Sequence, residues 1–112
     1  MENIEEQAAV FSALGDPTRL TLLRILHNQQ APDALCVGAL TGLLGISQPA
    51  VSQHLRILRT VGLVKGQKRG YHVHYSVEPA GLKLCQEFLS EILGPSGQAQ
   101  EDPCRNCHPK KS

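Results

Sequence analysis

The sequence predicts a mainly α fold with a small β-hairpin, in the element order ααααββα. Three observations carry this. Apolar residues recur three and four apart through most of the first 60 positions. Gly15 and Gly45 are each followed within two residues by a helix-capping Asp16 or Ser47 and then by Pro17 or Pro49. Beyond Gly62 the apolar pattern changes to alternation before it returns to helical spacing. The chain has 112 residues, about one domain's length, with 41% hydrophobic but only 4% aromatic residues and no Trp. Its core must be built from Leu, Val, Ile and Ala, which suits short packed helices.

The first helix is predicted from Ile4, Ala8, Phe11 and Leu14, with acidic residues in its first turn where the helix dipole favours them, and Gly15 ends it. Asp16 caps a second helix, with Pro17 in its first position and Leu20, Leu23 and Leu26 on its apolar side. After a polar break at residues 28–32, Leu35, Val37, Leu40 and Leu44 predict a short third helix closing at Gly45. Ser47 then caps a fourth, Gln48 to Thr60. Its Val51, Leu55 and Leu58 share one narrow arc, while Pro49, Gln53 and Arg56 point away from it.

Leu63 and Val64 open a strand, residues 66–70 read as a turn, and Tyr71, Val73, Tyr75 and Val77 alternate with His72, His74 and Ser76 on a second strand. Tyr71, Tyr75 and Val77 are expected to face the core. A last helix runs from Pro79, its stripe of Leu82, Cys85, Phe88, Leu89 and Ile92 stopping at Gly94-Pro95. Residues 1–95 are expected to form one domain and residues 96–112, rich in polar residues, Gly and Pro, a flexible C-terminal tail.

No secretory leader and no uncharged apolar run of roughly 20 residues is evident, so a cytoplasmic protein without a membrane partner is expected. The net charge of +1 hides an asymmetry: −4 up to Asp16, +6 from Pro17 to Val77, and −1 thereafter. A basic centre points to a polyanion. No Gly-rich phosphate loop, paired carboxylates or nucleophile with a positioned base is present, which argues against an enzyme.

Two helices joined by a tight turn, the second presenting polar and basic residues, then a hairpin with a basic tip, make the layout of a winged helix-turn-helix. Such a second helix fits the major groove of double-stranded DNA, roughly 12 Å wide. There Ser47, Gln48, Ser52 and Gln53 face base edges and Arg56 holds phosphate. Lys68 and Arg69 at the wing tip reach flanking backbone or the minor groove.

The runs LGDPTRLTLLRIL, LCVGALTGLLGISQPAVSQHLRILRTVGLV and GQKRGYHVHYSV resemble the ArsR/SmtB family of metal- and metalloid-responsive repressors. The resemblance spans roughly Phe11 to Val77. It implies a winged-helix homodimer joined through its first and last helices, which sits on a palindromic operator and leaves when an effector binds. Phe11, Leu82, Phe88, Leu89 and Ile92 are the expected interface residues, and the apolar stripe of the last helix agrees with that on its own.

Effector ligands in this family lie in several places. Arsenic-responsive members often carry a sequence like ELCVCDL at the start of the third helix. Cys36 matches the first of those cysteines, but Gly38 stands where the second would be. Zinc- and nickel-responsive members use Asp and His on the last helix. Here that helix has no histidine and offers Cys85 instead.

The remaining thiols form the tail motif Cys104-Arg105-Asn106-Cys107-His108, a C-x-x-C-H. As a haem attachment site it would define a redox protein, but that needs an export compartment. As a zinc finger it lacks a second pair. A disulfide switch remains open. Soft-ligand capture is the leading assignment: Cys104 and Cys107, completed by Cys85 or less readily Cys36, holding As(III) as arsenite or methylarsenite, or Sb(III). Cadmium, lead or zinc on the same fold is the alternative.

Overall fold

The computed structural model describes residues 4–29 and 35–94. Along the chain these form α1 (Ile4–Leu14), α2 (Pro17–His27), β1 (Leu35–Cys36), α3 (Val37–Leu44), α4 (Gln48–Thr60), β2 (Val64–Arg69), β3 (His72–Val77) and α5 (Pro79–Leu93). The tail and its Cys104 and Cys107 lie outside the described residues.

The helix boundaries have local causes. The Asp16 carboxylate, on an extended backbone, accepts from the Arg19 amide at 3.0 Å, and Pro17 occupies the first turn, where no amide is missed. That bond, together with the Arg19 charge nearby, holds the Asp16 carboxyl below its ordinary value. Ser47 Oγ accepts from the Ala50 amide at 3.2 Å and begins α4 in the same way. Between them, Gly45 closes α3 in the left-handed conformation, φ 70°, which a residue with a β-carbon rarely adopts.

The sheet has three strands in the order β1-β3-β2, all antiparallel. Two expectations are corrected here. Leu35 and Cys36 are not the start of the third helix but a strand, pairing with Tyr75 and His74 respectively. The wing turn is not residues 66–70: β2 stays paired as far as Arg69, opposite His72, so the reversal is confined to Gly70 and Tyr71. Gly70, at φ 64°, supplies the positive φ that a two-residue hairpin turn needs at its first position.

The core is aliphatic apart from Phe88. Leu22, Leu40, Val51, Leu55, Leu58 and Leu63 are all below 2% exposed, each contributing about 1.5–3 kcal/mol on burial. α2 differs from its expected face: Leu22 and Leu26 are buried, Leu23 is partly so, and Leu20 is exposed.

Two contacts fix α5. The Glu78 amide donates to the Leu63 carbonyl at 2.9 Å, and a β-carbon at Gly81 would collide with the Gly62 carbonyl, so the backbones touch where α4 gives way to β2. Further along, Gln7 Nε2, on the buried side of α1, donates to Glu91 Oε1 at 3.0 Å.

Candidate nucleic-acid interface

α3 and α4 meet across the three residues Gly45, Ile46 and Ser47. α4 is divided sharply between its two sides. Val51, Leu55 and Leu58 are buried, whereas Gln48, Ser52, Gln53, Arg56 and Arg59 are exposed. The exposed side offers amide, hydroxyl and guanidinium groups, the types that read base edges and hold phosphate in the major groove. Ser47 is exposed at the head of the same helix, though its hydroxyl is engaged as the cap.

The wing places Lys68 and Arg69 at the end of β2, both exposed, with Arg69 Nη2 donating to Gln67 Oε1 at 3.4 Å. Tyr71 overturns its expected place in the core. It is 99% exposed and stands at the tip, next to the basic pair. Tyr75 and Val77 are half-buried and pack against the core, whereas Tyr71 belongs to the turn between the paired residues Arg69 and His72. A tyrosine beside two cations at a hairpin tip can stack on a sugar or donate to phosphate.

Of the four cysteines, Cys36 and Cys85 lie among the described residues, and Cys104 and Cys107 outside them. Cys36 and Cys85 are free, half-buried thiols, and burial pushes the Cys85 thiol up from its ordinary value. Cys36 caps α3 through its backbone, without a side-chain hydrogen bond, and its sulfur lies 3.9 Å from where a β-carbon at Gly38 would stand. Among the described residues no group of three or more His, Cys, Asp or Glu is placed to hold a metal ion.

Of the expected interface residues, Leu89 and Ile92 are exposed, 47% and 54%, and are joined by Leu84, Leu93 and Ile4. Phe88 is taken up by the chain's own core at 3%, while Leu82 and Phe11 pack partly against it.

Residues 16–65, from the cap of α2 to the start of the wing, match the model of the family described as "Bacterial regulatory protein, arsR family". An uncharacterized helix-turn-helix transcriptional regulator of Methanocaldococcus jannaschii is 39% identical over 92 residues, covering 82% of this chain and 100% of that protein. This chain belongs to the arsR family. Within the family, the putative arsenical resistance operon repressor ArsR2 of Halobacterium salinarum is 47% identical over 86 residues, 76% of this chain and 69% of its own. Among solved structures, an ArsR-like transcriptional regulator from Rhodococcus sp. RHA1 superposes with a TM-score of 0.71 at 30% identity, covering 82% of this chain and 83% of that one.

As an arsR-family protein, the chain is a DNA-binding transcriptional regulator with a winged helix-turn-helix fold, and its relatives are regulators rather than enzymes. No described helix is long and apolar enough to cross a membrane.

Base reading and phosphate contact are separable by experiment. Gln53→Ala is expected to weaken binding to a selected duplex by roughly 5- to 100-fold, while binding to random duplex holds. Lys68→Ala is expected to weaken both and to lower the slope of log affinity against log salt by about one unit. Fluorescence anisotropy on the two duplexes at several salt concentrations reads both effects.

Proposed function

We propose that this protein is an operator-binding repressor that acts as a twofold dimer and leaves DNA when cysteine thiols capture a trivalent arsenical or antimonite. The observation that carries the DNA half is the division of α4: one side wholly in the core, the other an exposed row of Gln48, Ser52, Gln53 and Arg56. The apolar residues left exposed on α5 and at the head of α1 favour a second copy as their cover, as the family resemblance implies. A twofold dimer places its recognition helices in successive major-groove turns, about 34–36 Å apart, and so favours a palindrome.

The effector half rests on sulfur. Relatives include a protein named as an arsenical resistance operon repressor. The donors proposed are Cys104 and Cys107, with Cys85 as the third. The ten residues from Gly94 to Cys104 can span up to about 33 Å, and Cys85 lies about 14 Å back along α5. A protonated Cys85 suits this chemistry. Each thiol that attacks As(OH)3 passes its proton to a departing hydroxyl, releasing water as the As–S bond forms, so neither oxidant nor external base is needed. Release needs little energy: a hundredfold loss of DNA affinity corresponds to about 2.7 kcal/mol of coupling, a fraction of what two or three metal–thiolate bonds provide.

Cys104→Ser and Cys107→Ser are expected to keep wild-type affinity for a selected duplex and to lose arsenite-driven release. Titrating the DNA complexes with arsenite, methylarsenite, antimonite, cadmium, lead, zinc and peroxide tests this. Release from both variants at the wild-type arsenite dose refutes the thiol assignment, and release by a divalent ion or peroxide alone replaces the effector.

A further inference from the structure

The packing of α4 raises a question that its apolar side does not answer. Val51, Leu55 and Leu58 hold the helix against the core, but aliphatic contact has no direction and tolerates a small rotation about the helix axis. Base reading does not tolerate it. A rotation of only about 10°, which leaves Val51, Leu55 and Leu58 inside, moves a side-chain tip standing about 6 Å from the helix axis by roughly 1 Å, enough to misalign the Gln53 amide with a base edge. Something directional has to fix the rotation.

Among the described residues, one side-chain hydrogen bond joins α4 to another element: Arg19 Nη1 to His54 Nδ1, 3.3 Å. His54 is the central residue of the 13 in α4 and the immediate neighbour of Gln53. A guanidinium can only donate, so the imidazole Nδ1 must accept, which places the ring proton on Nε2. The Asp16 carboxylate lies 3.9 Å from the same Nδ1, beyond hydrogen-bond reach. Arg19 is itself anchored on the other side. Its Nε donates to the Ala13 carbonyl and its Nη2 to that of Ser12 at 3.4 Å, both in the last turn of α1, while its amide is held by Asp16. Arginine has the planar fork this requires, and lysine does not.

We infer that Arg19 and His54 are positioning residues for operator recognition: a strap from the end of α1 to the middle of α4 that fixes the rotation of the base-reading helix. Neither residue needs to touch DNA to act this way. The strap begins on α1, which is also joined to α5 by the hydrogen bond from Gln7 to Glu91. The inference rests on the DNA-binding role of α4 argued above.

The test uses the full chain and two probes: the duplex that wild type enriches most from a random pool, and an unselected duplex of equal length. His54→Leu fills the same space without an acceptor, whereas the amide oxygen of His54→Asn stands near the position of Nδ1. His54→Leu and Arg19→Met are each expected to lose roughly tenfold in the ratio of selected to random affinity, the effect of one charge-assisted hydrogen bond, with random affinity kept by His54→Leu. The double variant is expected to lose no more than the larger single. His54→Asn is expected to stay within about twofold of wild type, a rescue that a packing role would not give.

Wild-type discrimination in His54→Leu, or a loss in His54→Asn equal to that in His54→Leu, overturns the strap while leaving the DNA reading intact. Failure of wild type to enrich any duplex overturns both.

Discussion

Gly81→Ala is expected to destabilise the protein by about 2–3 kcal/mol, opposite in sign to the usual effect of replacing a glycine inside a helix. In an open helix alanine gains about 1 kcal/mol over glycine. At Gly81, three residues into α5, the new methyl would meet the Gly62 carbonyl, with the carbonyl carbon 2.8 Å away. Neither is the end of a flexible side chain. The carbonyl belongs to the backbone between α4 and β2, where Gly62 is held at φ 82°, so relief requires α5 to lift from the body of the fold. Lifting it breaks the bond from the Glu78 amide to Leu63 and loosens Phe88. Overpacking of this kind costs about 1–3 kcal/mol or more. Gly42 in α3 is the control. It is exposed and a β-carbon there meets nothing within 4 Å, so Gly42→Ala is expected to stabilise by about 0.5–1 kcal/mol. Urea denaturation of the two variants, read as opposite shifts in midpoint, checks both signs.

Leu55→Ala is expected to cost about 3–4 kcal/mol, within the range for a wholly buried leucine. Leu55 is 1% exposed and lies between Val51 and Leu58 on the buried side of α4, where the helix meets the rest of the core. The cavity cannot collapse cheaply, because α4 is held by its cap at one end and by the strap in its middle. A small domain stable by about 5–10 kcal/mol would be left marginal. Leu43→Ala in the neighbouring helix, at a position 62% exposed, is expected to change stability by less than about 0.5 kcal/mol. Calorimetry or urea melts of the pair distinguish burial from loss of a leucine as such.

Much of the fold was legible because its helix signals are short-range. Asp16 with Pro17, Ser47 with Pro49, and Gly45 each act within one turn, so residue type alone placed the boundaries of α2, α3's end and α4. The exposed row on α4 was legible for a related reason: its apolar positions recur with helical period and leave Gln48, Ser52, Gln53 and Arg56 opposite. What failed depends on partners distant in sequence. A two-residue strand at Leu35–Cys36 has no period to detect, and its pairing lies some forty residues away in β3. Gly66 resembles a turn glycine, yet it sits mid-strand, because a β-carbon there would come within 3.0 Å of both Tyr75 and Val73 across the ladder. Phe88 was placed at the interface by its helical stripe; its burial depends on how α5 leans on the Gly62–Leu63 backbone, which no local pattern records. The Arg19–His54 bond is of the same kind, joining residues 35 apart.

The most direct test of the whole account is DNA release by a chain ending at Gly94, compared with the full chain on the same selected duplex under a rising dose of arsenite. Equal affinity is expected before arsenite is added, since every residue proposed to face DNA is retained, and arsenite is expected to release the full chain alone. Departure of the shortened chain from DNA at the same dose would contradict it.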